Sequence, residues 1–169
     1  VELPPKVKAV VDRVVAASLG QLQGALRDFR WEYDKGDFNH WVDLFNKMDE
    51  WFDEHVANRR DLELAYGEDD EMWMMDFKPF PKEACLRILE VSATILDNCS
   101  NKHNYGSVEH LTKLLASRDS EVLLGTLELL AMLARRSLHS SVRWQGDSAL
   151  RARLFVLCQG WGGKEDGMG

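Results

Sequence analysis

Three side chains suited to metal or thiol chemistry lie close together in the sequence: Cys99, His103 and His110. A thiolate and two imidazoles are ligands that Zn²⁺ prefers, yet their spacing matches no common zinc finger and no fourth ligand lies nearby. Cys99 and His103 also suit a nucleophilic pair, which requires an exposed thiol of lowered pKa. Because all three cysteines of the chain occupy apolar positions of helical patterns, we predict no catalytic residue, metal or cofactor.

A glycine-rich segment from Gly160 to Lys164 invites comparison with a phosphate-binding loop. A Walker motif needs a glycine five residues before its Gly-Lys pair and a serine or threonine after it. Cys158 and Glu165 occupy those two positions. The segment also follows a predicted helix and not a strand, so we interpret its glycines as a helix stop.

An acidic segment over residues 61–80 lacks both helical and strand periodicity. We predict a flexible loop there, and two hypotheses for it stay open. In one, the loop is a solvated linker whose tryptophan packs against a neighbouring helix. In the other, it binds a basic partner protein through the candidate residues Asp69, Asp70, Glu71 and Trp73.

Elsewhere, apolar residues recur at three- and four-residue spacing and predict helices. Two prolines suit the start of a first helix over about 5 to 17. Ser18 with Gln21 resembles a capping box for a short second helix. A strongly aromatic stripe predicts a third helix, from about 38 to 58, that is buried in the core.

The second half of the chain continues this pattern. A helix is expected over residues 81–98, followed by a short one capped by Ser107. Asp119 caps the next, over about 120 to 136, whose apolar residues on nearly every side predict the centre of the core. Asp147 caps a final helix, with the following residues facing its neighbours: Leu150, Leu154, Phe155 and Leu157.

These elements predict an all-α protein of six or seven helices, an armadillo- or HEAT-like segment of a helical solenoid. Residues 1–60 form the N-terminal helices of the solenoid and residues 61–80 form the acidic loop. Residues 81–169 form the armadillo-like repeat region, in which two apolar helical patterns are joined by the turn Ala-Ser-Arg-Asp-Ser.

The charge balance disfavours nucleic acid as a partner. The chain has a net charge of -7; residues 1–100 carry 12 basic and 21 acidic side chains, and residues 101–169 carry 9 and 7. A weak basic patch lacks the interleaved aromatic residues of a nucleic-acid binder. Its members are Arg135, Arg136, Arg143, Arg151 and Arg153.

The sequence also predicts where the protein resides. No apolar run approaches the roughly eighteen residues of a membrane span, and no secretory signal begins the chain. Three widely spaced cysteines fit reduced, buried thiols, so we expect a cytoplasmic or nuclear protein without a membrane partner. The chain starts at Val1 and not at a methionine, and we interpret it as a piece of a longer protein.

Several motifs resemble the extreme N-terminal region of the giant HECT-type ubiquitin ligases, the plant UPL, yeast Tom and animal Mule types. The main ones are NCSNKHNYGSVEHLTKLLASRDSEVLLGTLELLAMLARR and RLFVLCQGWGGKEDGMG, and LPPKVKAVVDRV and WEYDKGDFNHWVDLFNKMDEWFDEH agree. The resemblance covers nearly the full length, interrupted chiefly over residues 61–79. NCSNKH and QGWGGKE are its most specific parts, because helical periodicity does not demand them.

The resemblance implies a very long parent protein that opens with an armadillo-like solenoid. In that family a distant C-terminal HECT domain takes ubiquitin from an E2 onto a cysteine and passes it to a substrate lysine. The chain would then be a noncatalytic scaffold whose partners are protein substrates and further solenoid repeats. None of Cys85, Cys99 and Cys158 would accept ubiquitin. An alternative is a free-standing armadillo-like adaptor in transport or assembly.

Overall fold

The computed structural model describes residues 2–27, 29, 37–57, 80–117, 119–135 and 148–161. These residues form seven α-helices joined by turns. Within them no β-strand occurs, and one isolated bridge pairs Asp37 with Ser100. The predicted all-α class and helix number are therefore confirmed. No helix in these ranges combines the length and apolar character that crossing a membrane requires.

The helices follow the predicted order closely, and three short turns extend them. A 3₁₀ turn, Leu19–Gln21, precedes the second helix. Another, Phe38–Trp41, leads into the third, which continues as a π-helical turn, Asp53–Ala57. The helices are α1 (Pro5–Ala16), α2 (Leu22–Arg27), α3 (Val42–Phe52), α4 (Lys82–Asn98), α5 (Val108–Leu114), α6 (Ser120–Arg135) and α7 (Ser148–Trp161).

The residues that start the helices agree only in part with the predicted caps. Asp119 caps α6 as predicted, since its Oδ1 accepts hydrogen bonds from the backbone N–H groups of Glu121 and Val122 at 3.0 and 3.1 Å. The predictions for Ser18 and Ser107 are wrong, because neither side chain bonds to the helix that follows it. Asp147 lies outside the described residues.

Helix α4 lies at the centre of the packing, with α2 against one side and α6 against the other. The two helices approach closely at Gly125: a Cβ at that position would lie 3.3 Å from Leu89 Cδ1, so a larger residue would require the Leu89 side chain to shift. Along its length α4 buries residues on several faces, and these are Ala84, Cys85, Ile88, Leu89, Val91, Ser92, Ile95 and Leu96.

Helix α6 is less enclosed than the sequence predicts. Val122, Leu123, Leu129 and Leu130 are buried, but the side chain of Leu124 is 48% exposed. The prediction that α6 is covered on nearly every side is therefore wrong, because its neighbours α4 and α5 leave part of its surface open.

The predicted aromatic core helix is confirmed in α3 and the turn before it. Phe38 stacks on Phe45 with ring centroids 5.0 Å apart, and Phe45 meets the edge of Tyr105 at 5.6 Å. Trp41 contacts Phe29 at 5.9 Å. These ring contacts join the N-terminal helices to the segment that follows α4.

Arg87 of α4 holds the end of α2 in place. Its guanidinium donates hydrogen bonds to the backbone carbonyls of Leu26, Arg27 and Phe29, at distances from 2.7 to 3.2 Å, and to the Glu90 carboxylate at 2.9 Å. The last carbonyls of a helix have no partner within the helix, and a cation near them is favourable. This contact therefore fixes α2 against α4.

The NCSNKH motif forms the turn after α4 and joins it to the start of α3. The Ser100 hydroxyl and the Asn101 amide both donate to Asp37 Oδ2, and the Phe38 N–H donates to the Ser100 carbonyl at 3.0 Å. Asn101 has a φ of 56°, the left-handed region that asparagine tolerates better than most residues. The buried Lys102 ammonium donates to the Leu96 carbonyl at 2.9 Å.

The Asp119 cap provides a test of the packing between α4 and α6. Asp119 Oδ2 lies 2.8 Å from the Lys82 Nζ at the start of α4, and the hydrogen bond from Lys82 holds the pKa of the Asp119 carboxyl below its usual value. We expect Asp119→Ala to lower the free energy of unfolding at neutral pH by about 1 kcal/mol, because a helix cap is lost. Denaturant unfolding measures this difference.

The same measurement has a pH signature. A carboxyl with a depressed folded-state pKa stabilises the protein above its unfolded pKa, and this contribution is lost as the pH falls through the folded value. The stability difference between parent and variant should therefore narrow below about pH 4. Glu128→Ala, at an exposed position of α6, is the control and should change stability by less than about 0.5 kcal/mol. Equal stabilities for the parent and Asp119→Ala at neutral pH would contradict the assignment.

Candidate functional site

The four residues predicted to bind a partner, Asp69, Asp70, Glu71 and Trp73, lie outside the described residues. Their role stays a prediction. The described chain stops at Ala57 and resumes at Phe80, and the rings of Trp51 and Phe80 have centroids 6.3 Å apart. Phe80, where the described chain resumes, therefore packs near α3.

The structure separates the three residues that suggested thiol or zinc chemistry. Cys99 is buried after α4, whereas His103 is exposed on the 3₁₀ turn Lys102–Asn104. Burial raises the pKa of the Cys99 thiol to about 11, so the thiolate needed for nucleophilic attack is disfavoured. His110 points instead toward carboxylates of α3.

The other two cysteines differ from each other. Cys85 is buried on α4, and burial, with a smaller effect of the Asp119 carboxylate, raises the pKa of its thiol to about 12. Cys158 is exposed on α7, so the prediction that all three thiols are buried is wrong at this position. An apolar helical pattern marks a face of the helix but does not say whether a neighbouring helix covers that face.

A polar cluster joins α3 to α5. His110 Nδ1 lies 3.0 Å from Asp49 Oδ1, and His110 Nε2 lies 2.9 Å from Asp53 Oδ1. The histidine side chain is only 13% exposed, and its ring also stacks on Phe52 at 5.6 Å. Because Asp49 and Asp53 are one helical turn apart, both carboxylates face the same imidazole.

Two further donors surround this cluster. The Ser107 hydroxyl donates to Asp49 Oδ1 and does not cap α5. Lys113, one turn after His110, donates to the Ala57 carbonyl at 2.8 Å at the end of the π-helical turn. Asp49 lies between the hydroxyl and the imidazole, so this is not the hydroxyl–imidazole–carboxylate order of a nucleophilic triad.

Tyr105 lies behind the cluster with an unsatisfied hydroxyl. The residue is 6% exposed, and its phenol has no hydrogen-bond partner among the described residues. Burial raises the pKa of the phenol, the nearby Ser107 hydroxyl lowers it, and the Asp49 carboxylate raises it again. The Tyr105 hydroxyl thus lies near Ser107 and Asp49. The Ser107 hydroxyl donates to Asp49 and keeps the capacity to accept a hydrogen bond.

Sequence reasoning named His110 but did not find its partners. The signal available in the sequence was the spacing of Asp49 and Asp53, four residues apart on a predicted helix. That spacing is common on exposed helix faces. The partner histidine is about sixty residues away in the chain, and tertiary packing alone brings it to this place.

A second feature is the open apolar surface of α7. Leu150 and Leu157 are buried as predicted, whereas Phe155 is 64% exposed and Val156 is 39% exposed. The prediction that Phe155 faces a neighbouring helix is wrong within the described residues. Helix α7 packs against α5, and these two side chains are left on its outer surface.

Comparison with known proteins identifies relatives of the whole chain. Residues 81–155 match the family described as Domain of Unknown Function (DUF908). The chain is 45% identical over 170 residues to the E3 ubiquitin-protein ligase UPL1 of Arabidopsis thaliana, an alignment that covers 99% of the chain and 4% of UPL1. No solved structure matches it.

The similarity extends to animals and fungi. The chain is 32% identical over 175 residues to the E3 ubiquitin-protein ligase HUWE1 of Mus musculus, covering 99% of the chain and 4% of that protein. It is 28% identical over 160 residues to the E3 ubiquitin-protein ligase TOM1-like of Neurospora crassa, covering 79% and 4%. The chain thus spans about one twenty-fifth of the length of these relatives. Together with the segments that it matches in these large E3 ubiquitin-protein ligases of plants, animals and fungi, it belongs to one family.

Proposed function

We propose that this chain is a noncatalytic scaffold segment at the N-terminal end of a HECT-type E3 ubiquitin-protein ligase. In this role it begins a helical solenoid, stacks against the next helices of the same protein and presents a surface that binds protein substrates. The distant HECT domain takes ubiquitin from an E2 and transfers it to substrate lysines, in the cytoplasm or nucleus.

The observation that carries the proposal is the alignment itself. Nearly the whole chain aligns with relatives that are named E3 ubiquitin-protein ligases, yet it accounts for only 4% of their length. A segment of this size leaves the catalytic chemistry to other parts of the relatives. The same alignment disfavours a free-standing adaptor, because these relatives are far longer than this chain.

The two buried cysteines do not fit a nucleophilic thiol. The two buried cysteines, Cys85 and Cys99, have raised pKa values, and Cys99 is not paired with a histidine. The Ser107 hydroxyl donates to a carboxylate and has no imidazole as its base. These contacts support a structural role for the polar residues.

The outer face of α7 supports stacking onto further helices. Each repeat of a solenoid contacts its neighbours, and an uncovered repeat exposes the apolar surface that its neighbour would bury. Phe155 and Val156 fit this description, since both are large, apolar and exposed. Further solenoid repeats of the same protein are therefore the occupant that we propose for this face.

If α7 stacks on further repeats, Phe155 should contribute to the free energy of unfolding only in a longer protein. In this chain, Phe155→Ser should change the free energy of unfolding by less than about 0.5 kcal/mol, because the side chain is exposed. In a protein extended by the next two repeats, the same change should lower it by about 1.5–3 kcal/mol, because a buried phenylalanine is lost. Denaturant unfolding of both lengths measures the effect.

Val15→Ser is the matched control, since Val15 is an exposed apolar residue on α1 at the other end of the chain. It should have a small effect at both lengths. The extended protein should also melt at a higher temperature than this chain. Equal midpoints for the two lengths, or an equal effect of Phe155→Ser in both, would count against stacking.

Thiol labelling tests the noncatalytic assignment. At pH 7.5 a maleimide should react quickly with Cys158, which is exposed. It should react slowly with Cys85 and Cys99, whose pKa values of about 12 and 11 keep them protonated and whose burial restricts access. Intact-mass spectrometry of the folded protein should show one fast adduct.

In Cys158→Ser the fast adduct should disappear, and in denaturant the remaining thiols should react. Rapid labelling of Cys99 in the folded variant would revive the hypothesis of a cysteine enzyme that uses Cys99 and His103.

The acidic segment supplies a test of partner binding. Reversing the charges of Asp69, Asp70 and Glu71 to lysine in the complete ligase should lower recovery of basic partner proteins from cell extract about tenfold or more, because complementary charge is lost. Quantitative mass spectrometry at fixed salt measures the recovery. Trp73→Ala should lower it as well if the ring contacts the partner.

The control reverses three exposed acidic residues of α3 and of the π-helical turn that continues it: Asp43, Glu50 and Glu54. This variant has the same net charge and should retain its partners. Unchanged recovery after reversal of Asp69, Asp70 and Glu71 would remove the segment as a docking site.

A further inference from the structure

The cluster between α3 and α5 contains donor atoms that the scaffold role does not require. Asp49, Asp53 and His110 each offer one ligand atom, and these three atoms lie within 4.8 Å of one another. Two carboxylate oxygens and one imidazole nitrogen form a set that Zn²⁺ accepts, with water as the fourth ligand. Within the described residues, this is the one group of three such side chains.

The two carboxylates contact different nitrogens of the His110 ring. Asp49 Oδ1 lies 3.0 Å from Nδ1, and Asp53 Oδ1 lies 2.9 Å from Nε2. One ion can bind only one ring nitrogen, and ligand atoms on a tetrahedral Zn²⁺ are about 3.3 Å apart. An ion at Nδ1 beside Asp49 therefore requires the Asp53 carboxylate to turn toward it. Asp53 can do so because its side chain is 65% exposed.

An independent observation behind the cluster indicates that its polar groups are not fully satisfied. The Tyr105 hydroxyl is buried without a partner, and the Asp49 carboxylate and Ser107 hydroxyl act on it. Leaving a buried donor unpaired is unfavourable. The Ser107 hydroxyl can accept a hydrogen bond from Tyr105 while it donates to Asp49, so a small shift of Ser107 when an ion binds would give the Tyr105 hydroxyl a partner.

Several side chains around the cluster are placed like the outer shell of a metal site. Metal-binding side chains are usually held by further hydrogen bonds, which orient them before the ion binds. Ser107 already holds Asp49, and Phe52 stacks on the His110 ring. The Lys113 ammonium of α5 donates to the Ala57 carbonyl at 2.8 Å, so its positive charge is held in a contact with the backbone.

We propose that Asp49, Asp53 and His110 form a Zn²⁺ site that fastens α5 to α3. Ser107 and Tyr105 act as positioning residues in its outer shell. The ion would tie together two helices whose ligands are about sixty residues apart in the chain. It would stabilise the folded state by an amount that grows with the logarithm of the free Zn²⁺ concentration once this exceeds the dissociation constant.

Metal titration of this chain tests the proposal, with Cys158→Ser as the parent so that the exposed thiol does not bind the probe. Zn²⁺ binding is measured by calorimetry, and Co²⁺ serves as a spectroscopic probe. We expect one bound ion per chain, a tetrahedral Co²⁺ spectrum without thiolate bands, and a higher melting temperature with Zn²⁺.

Matched variants separate ligands from neighbours. Asp53→Asn and His110→Asn should each weaken Zn²⁺ binding about tenfold or more, and Ser107→Ala should weaken it about tenfold through the outer shell. Asp43→Asn and His103→Asn alter an exposed aspartate and an exposed histidine elsewhere and should bind as the parent does.

Circular dichroism establishes that each variant is folded, and Asp53→Asn at an exposed position provides the test if His110→Asn does not fold. Absence of binding by the folded parent would overturn the proposal. Equal Zn²⁺ affinity in the parent and in folded Asp53→Asn would do so as well.

Discussion

The fold depends on the burial of α4 between α2 and α6. A helix covered on two sides can place apolar residues around much of its circumference, and α4 does so from Ala84 to Leu96. Hydrophobic burial of this kind is the main favourable term in folding, but it is not directional. The position of each helix along α4 therefore depends on more specific contacts, such as the close approach at Gly125.

Polar contacts fix the positions of the helices, and most of them join parts of the chain that are far apart in sequence. Arg87 holds the end of α2, and the turn at Ser100 and Asn101 holds Asp37. His110 lies between two carboxylates of α3 and its continuation. Each contact connects a residue before Ala57 with one after Phe80. The N-terminal helices and the segment that contains the DUF908 match are therefore parts of one packed unit.

Helical periodicity predicted most of the architecture, because one apolar stripe at 3.6-residue spacing is enough to specify a helix. It placed α1 and α6 within one residue of their observed bounds, and the helix predicted over about 38 to 58 corresponds to α3 together with the 3₁₀ turn before it and the π-helical turn after it. It failed where the outcome depends on a neighbouring helix. The pattern of apolar residues does not tell whether another helix covers Leu124, Phe155 and Cys158, and in the structure all three are exposed. Ser107 shows the same limit, since its hydroxyl had a local partner available but bonds to Asp49. The NCSNKH motif was recognised by resemblance, and its contacts with Asp37 explain why these residue types occur there.

The contact between Trp51 and Phe80 means that α3 and the residues just before α4 are held together by packing. Lys113 also fixes the carbonyl of Ala57, the last residue of the π-helical turn. In general, the entropic cost of closing a chain connection rises only with the logarithm of its length, so doubling the length costs about 0.6 kcal/mol. Because these contacts lie outside residues 58–79, they hold α3 and α4 in place without requiring a fixed length of chain between Ala57 and Phe80. A change in the number of residues there should therefore leave the positions of the two helices unaltered.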